Sequence, residues 1–498
     1  MATATASTAL DRLRAVLAEI ADLRHAEMLL DWDSRVSMPH AGARARAEAS
    51  ATVGRLAHEK FISDEVGELL DELRPLQDEL DSDSIDAALI RVTRRDWERY
   101  RRIPPELAGE MRLVSGIAVA AWDEAKAASD FASFIPHLER QLELKHRYIE
   151  CFPEADDPYD VLLQDWEEDM TTAQVETVFE TLKRELVPLV EQAVEREVDL
   201  TPMRGPFPIE GQKQASARIL AALGFAAENW RIDETPHPFA SNPGQGDVRL
   251  TTHYDEHDLH ALFSSMHEFG HGVYEWGVDP ALARTPLGSG ASSALHESQS
   301  RTWENLVGRS RGFWRWFYPR LQSLLPDQLG GVTEDSFYAA VNAVRPTLVR
   351  IDADEVTYGL HIILRFELER ELLSGAVAVR DVPEAWNEFV RRYLGLDVTD
   401  DAHGVLQDMH WSIGLIGYFP TYQVGNVMSV QIWERARADL GDVEEQFARG
   451  EFVALREWLR EHVYRFGRRY EPQELLRRVT GSGLDSAPYL SYLRNKFS

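Results

Sequence analysis

Cysteine is nearly absent: Cys151 is the only one in 498 residues. No intramolecular disulfide is available, and a reducing compartment is the simplest setting. Positive charge is also scarce. Lys and Arg number 53 against 83 Asp and Glu, a formal net charge of −30. A chain so poor in cations is a poor competitor for the counterions of a phosphate backbone. It is equally unsuited to an anionic lipid surface. Nucleic acid and membrane are therefore excluded as expected partners. No run of 18 apolar residues occurs, so no ordinary spanning helix is predicted. The segment MATATASTALDRLRAVLAEI lacks a basic stretch followed by an apolar core. No secretory leader is expected, and the expected location is cytoplasmic. There is no repeat of fixed period to suggest a solenoid, and no low-complexity linker to separate domains. The expectation is one unit over residues 1–498, with a helical N-terminal part over about 1–225 and a second part over 226–498.

What is present is a large apolar inventory: 44% of residues are hydrophobic and 10% aromatic. That suffices for a core without covalent staples. Leu10, Leu13, Leu17 and Ile20 line one helical face, and similar periodicity recurs through most of the chain. A mainly α fold follows. The rhythm breaks over 230–255, WRIDETPHPFASNPGQGDVRLTTHYD, where prolines and glycines punctuate β-type alternation. The pattern predicts a small antiparallel β-sheet beside the next helix.

That next helix carries His267-Glu268-Phe269-Gly270-His271. Two histidines at i and i+4 share a helical face. Both imidazoles then reach a single ion, and Glu268 between them is placed to act as base on an activated water. The bland alternative is a solvated helix with two satisfied histidines. A catalytic metal needs a third protein ligand. HExxHxxGxxH is absent, so the third ligand is expected downstream. Glu297, in LHESQSRTWENL, is the favoured candidate; Glu275, one turn further along the first helix, is the competitor. Ligands at i, i+4 and i+8 drift around a helix and converge poorly.

These residues resemble the carboxypeptidase Taq family of metallocarboxypeptidases. Besides HEFGH, His237-Pro238-Phe239 is similar to its HPF motif, Asp247 to Thr251 to its DxRxT, and His296 to Gln299 to its second ligand motif. Arg350 to Asp354 resembles its RxxAD, and Gly404 to Trp411 its GxxQDxHW. Leu30 to Pro39, LDWDSRVSMP, resembles its N-terminal signature. One departure is Trp276, where the family pattern has Gln.

The resemblance implies a helical, saddle-like body with a central groove. It implies a cytosolic homodimer that removes C-terminal residues from peptides with a free C-terminus. It also implies one divalent metal per subunit, Zn2+ or alternatively Co2+. Arg350 is then the cation for the terminal carboxylate, since a guanidinium fork pairs bidentately with it. A structural ion pair with Asp352, Asp354 or another helix is the alternative for Arg350. His410 and Tyr422 are expected to stabilise the oxyanion, or else to be ordinary partly buried side chains. Asp408, two residues before His410, would face elsewhere on a helix. Arg249 and Asp247 are expected either to offer a strand edge to extended peptide or to form a structural ion pair with the metal helix. Two rival functions remain: a thimet-type oligoendopeptidase or dipeptidyl carboxypeptidase, and a non-catalytic acidic helical scaffold.

Overall fold

The computed structural model describes residues 2–497. It is predominantly helical with one three-stranded sheet among the described residues. No helix among them is long and apolar enough to cross a membrane. The chain packs into two compact units. Unit 1 comprises the chain up to Arg101, Asp199–Val341 and Ile432–Gly481; unit 2 comprises Arg102–Val198, Asn342–Gln431 and the chain from Ser482 onward. The boundary expected near residue 225 falls inside unit 1.

In unit 1 the long helix Ala2–Val36 buries the predicted face: Leu10, Leu13, Leu17 and Ile20 are all core residues. They pack with Phe61, Leu69, Leu70 and Ile90, and with Val278, Leu282 and Leu287 beyond the HExxH helix. A buried Leu or Phe contributes about 1.5–3 kcal/mol, so this cluster ties the N-terminal helices to the segment that carries the site.

The sheet consists of β1 (Trp230–Glu234), β2 (Ala240–Gly244) and β3 (Asp247–Thr252) in the order β1-β3-β2. It is mixed rather than wholly antiparallel. β2 and β3 form the expected antiparallel pair, but β1 runs parallel to β3, with Trp230 opposite Val248 and Glu234 opposite Thr252. The reason lies in the turns. Gly246, at φ +82, closes the β2–β3 turn, a conformation that glycine adopts without strain. The short stretch from Thr235 to Phe239 then carries the chain past β3, so β3 lies between β1 and β2. Arg249 and Asp247 are therefore on the central strand and offer no free edge. They pair with each other instead, Nε to Oδ1 and NH2 to Oδ2, each at 2.8 Å.

One face of the sheet buries Val248 and Leu250. On it lies the helix His260–Gly277, which begins where Asp258 accepts from the His260 N–H at 2.8 Å. A Cβ at Gly272 would lie 2.7 Å from Val248 Cγ1, so the close fit of helix to sheet requires glycine there. Three motifs brace this assembly. The guanidiniums of Arg231 and Arg249, register partners on adjacent strands, each lie 4.6 Å from the Trp32 ring centroid. Thr251 Oγ1 accepts from the Phe239 N–H at 2.7 Å and donates to its carbonyl at 2.9 Å.

Unit 2 is built around the buried helix Tyr358–Ser374. Its His361, Arg365 and Glu369, four residues apart, form a stripe with no solvent exposure. The stripe faces the segment 403–419, which consists of turns.

Candidate active site

The HExxH helix packs against Ser293–Arg301, the helix that carries Glu297. Gly270 permits the approach. A Cβ there would lie 2.5 Å from the Gln299 carbonyl oxygen and 2.5 Å from Ser300 Cα. Phe269, beside it, is stacked on Trp230 at 5.2 Å and edge-on to Trp303 at 5.3 Å. Trp276, the departure from the family pattern, leans against Trp230 at 6.2 Å.

Glu297 Oε2 lies 3.7 Å from His267 Nε2 and 3.5 Å from His271 Nε2. All three ligand atoms fall within 4.8 Å of one another. Ligands about 2.0–2.1 Å from one tetrahedral ion lie about 3.3 Å apart, so these side chains are spaced to share one. Glu275 is not in this group. Its Oε1 accepts from the Gly290 N–H at 2.9 Å and contacts His296 Nε2 at 2.7 Å.

The far sides of both imidazoles are also committed. His267 Nδ1 meets Glu304 Oε2 at 2.8 Å, and His271 Nδ1 meets His296 Nδ1 at 2.7 Å. Only one proton arrangement satisfies both chains with neutral rings and free Nε2 lone pairs. His267 donates from Nδ1 to Glu304. His271 donates from Nδ1 to His296, which donates from Nε2 to Glu275. Such outer partners fix the tautomer and orientation of metal-ligating histidines. The residues therefore fit a divalent metal in this pocket of donors.

Electrostatics treat the two rings differently: burial opposes protonation of His267, but Glu297 and Glu304 outweigh it and raise the group above its ordinary value, so a metal at Nε2 would displace a proton there. Burial lowers His271 to about 4, which keeps its imidazole neutral. Burial would raise Glu304, but Arg301 and His267 outweigh it and bring it down to about 2. Burial likewise opposes ionisation of Glu297, yet Arg301 and the two histidines hold it well below the usual carboxylate range. Arg301 donates from Nε to Glu297 Oε1 at 2.7 Å and from NH1 to Glu304 at 3.1 Å. Glu268 is 6% exposed, and burial is the largest cause pushing it up to about 7.

Glu304 and the His296–Glu275 pair were missed by sequence reasoning. Glu304 owes its place to a π-helical stretch, Thr302–Val307, where the Gly308 N–H bonds to the Trp303 carbonyl five residues back at 3.0 Å. Wider winding of this kind recurs at functional sites. The available signal was chemical: ligating histidines need a second partner, and two unassigned glutamates lay nearby in sequence.

In unit 2 the structure brings Arg350, His410 and Tyr422 together. The Arg350 guanidinium carbon lies 5.1 Å from the Tyr422 ring centroid, and His410 Nε2 is 3.1 Å from the Tyr422 hydroxyl. Burial lowers His410 to about 3, so its ring is neutral. Arg350 does have an ion-pair partner, but it is Asp408. Nε and NH2 donate to Asp408 Oδ1 at 3.1 and 2.7 Å, and NH1 donates to the Tyr358 hydroxyl at 3.1 Å. Asp354 instead accepts from the backbone N–H groups of Val356 and Thr357. Asp408 faces Arg350 because 407–411 is not helical.

The chain is also similar to known proteins over nearly its whole length. The chain is 40% identical to thermostable carboxypeptidase 1 of Thermus thermophilus over 494 residues, covering 96% of each chain. It is 38% identical to carboxypeptidase 1 of Bacillus subtilis, covering 97% of each. The crystal structure of an M32 carboxypeptidase from Deinococcus radiodurans superposes with a TM-score of 0.94 at 42% identity, covering 98% of this chain and 99% of that one. The family model for carboxypeptidase Taq (M32) metallopeptidase matches residues 12–497, and the chain belongs to that family.

Proposed function

We propose that this chain is a metal-dependent carboxypeptidase that releases C-terminal amino acids from peptides, with Glu268 as general base. The convergence of His267 Nε2, His271 Nε2 and Glu297 Oε2 carries this reading. A divalent metal held there supplies Lewis-acid polarisation of the scissile carbonyl and lowers the pKa of water. Zinc suits two imidazoles and a carboxylate, and cobalt is the alternative.

The chain's own residues divide the remaining work. Glu304 and the His296–Glu275 pair hold the imidazoles in one tautomer. Glu268, beside the first ligand on the same helix, takes a proton from the attacking water and passes it to the leaving amine. Arg350 pairs with the terminal carboxylate, which separates a chain end from an internal bond. Its NH1 and NH2 each keep an N–H beyond those given to Tyr358 and Asp408. His410 and Tyr422, already hydrogen-bonded to each other, supply a donor to the carbonyl oxygen as it gains charge. A cytoplasmic homodimer completes the reading on family resemblance; light scattering giving the mass of one chain across a wide concentration range would remove the dimer.

The test is product analysis. The metal-loaded enzyme is given one short peptide as free acid and as C-terminal amide, and products are followed by mass spectrometry. Losses of one residue at a time are expected from the free acid. A hydrogen bond to a charged group contributes roughly 1.5–3 kcal/mol, so amidation should lower kcat/KM by about 10- to 100-fold. Arg350→Ala should abolish the difference. An internal cut or dipeptide release overturns the carboxypeptidase reading.

A further inference from the structure

We propose that Arg365 is a positioning residue for C-terminal carboxylate recognition: it fixes Arg350 through two intermediaries, the Asp408 carboxylate and the Gln407 amide. The inference rests on the reading of Arg350 given above and extends it to a residue with no solvent exposure.

Two paths lead from Arg365 to Arg350. Asp408 takes Arg365 on Oδ2, which accepts from its Nε at 2.7 Å, and Arg350 mainly on Oδ1, which accepts from its NH2 at 2.7 Å and Nε at 3.1 Å, with a longer 3.5 Å contact from that Nε to Oδ2. Gln407 Oε1 accepts from Arg365 NH2 at 2.8 Å and from the Arg350 backbone N–H at 2.8 Å. The Gln407 amide nitrogen donates to the Leu348 carbonyl at 3.0 Å, two residues before Arg350. One buried guanidinium thus grips both the group that orients the Arg350 fork and the group that holds its backbone. Arg365 is itself held, since NH1 donates to the His361 carbonyl of its own helix at 2.7 Å.

The geometry asks for this second cation. A carboxylate facing only Arg350 would be free to turn with it, whereas one clamped between two guanidiniums has both oxygens fixed. Orientation matters because a planar fork recognises a carboxylate bidentately only in plane. The charge count matters too. Arg350 and Arg365 share the single carboxylate of Asp408, and His361 and His410 are both kept neutral, chiefly by burial. The cluster keeps one positive charge in excess, which favours an anionic ligand over a neutral one. Lys could replace the charge of Arg365 but not the rigid planar fork that spans Asp408, Gln407 and the His361 carbonyl.

Glu369, four residues further along the same stripe, anchors the other end of the turn. It accepts from Trp411 Nε1 at 2.9 Å, the Gly417 N–H at 3.0 Å and the Tyr159 hydroxyl at 2.6 Å. Its contacts do not touch Asp408 or Arg350, which makes it a control for general loosening of the turn.

The experiment measures kcat and KM on the free-acid and amidated peptides for wild type, Arg350→Ala, Arg365→Met, Arg365→Lys, Asp408→Asn and Glu369→Gln, all metal-loaded. Arg365→Met should lower free-acid kcat/KM about 10-fold or more, mainly through KM, and the amide value by less than about 3-fold. The free-acid preference then collapses toward that of Arg350→Ala. Arg365→Lys should restore part of it, and Glu369→Gln should leave the ratio as in wild type. If Arg365→Met does not accumulate as folded protein, Asp408→Asn breaks the same link from the loop side with an isosteric change and should show the same collapse. Equal losses on both peptides, or a wild-type ratio in the readable variant, overturn the positioning role of Arg365. A wild type that does not discriminate, or an Arg350→Ala that still does, overturns the reading of Arg350 itself.

Discussion

Around the HExxH helix, the glutamates 268, 275, 297 and 304 gather with Arg301 and Arg309 as the cations beside them. In unit 2 the balance is reversed, with Arg350 and Arg365 sharing only Asp408. Both clusters are buried, and both satisfy most of their groups internally. They differ in what is left over. In the first, three acceptor atoms converge on one point, while the far nitrogens of both imidazoles and the second oxygen of Glu297 already have partners. In the second, surplus N–H donors remain on a guanidinium. Burying an unpaired charge is costly, so the sign left over in a braced cluster indicates the sign of its ligand: a cation for the first, an anion for the second.

The sharpest way to break this comparison is to remove a converging acceptor. Glu297→Ala should reduce bound metal and bring peptide hydrolysis to background, as chelation should in wild type. Metal analysis with a peptide assay checks both, and full turnover by a metal-free preparation would end the reading. Glu268→Gln separates holding from acting. It should keep the metal and lose about 10²–10⁴-fold in kcat, the usual size of a general-base contribution. A variant within a few-fold of wild type would remove Glu268 from that role.

Next in size are the braces. Glu304→Gln leaves all three donor atoms but weakens the acceptor for His267 Nδ1. Outer-partner changes typically cost 10- to 100-fold in metal affinity, measurable by competition with a chelator. Glu275→Gln acts one link further out, through His296, and should cost less. Equal effects would mean that the two imidazole chains are not organised as the hydrogen bonds indicate. The smallest expected effect concerns packing. Gly270→Ala pushes a methyl into the backbone at Gln299 and Ser300. It should lower the stability of the metal-free protein by about 1–3 kcal/mol, as overpacking does, read by denaturant unfolding. An unchanged midpoint would show that the ligand helix gives way freely.

Where the two clusters differ in ligand, they also differ in how far they could be read in advance. His267, Glu268 and His271 were legible because their relation is local: a helix places i and i+4 on one face whatever surrounds it. Glu297 was legible more weakly, by elimination and motif. Arg350, His410 and Tyr422 were found by resemblance, and their neighbours were not found. Asp408 would face away from His410 on a helix, but residues 407–411 are not helical. Arg365 and Glu369 read as ordinary members of a helical pattern, since nothing in periodicity distinguishes a buried polar stripe from a solvated one.

The helical character, the scarcity of cations, the Leu10–Ile20 face and the two-histidine motif follow from composition and spacing, because each depends on neighbours within a turn or two of chain. The parallel pairing of β1, the π-helical delivery of Glu304 to His267 and the Arg365–Asp408–Arg350 clamp were decided by tertiary structure. Each joins groups across a loop or across tens of residues, and hydrogen bonds of that kind form only where packing has already excluded water and brought distant backbone within reach.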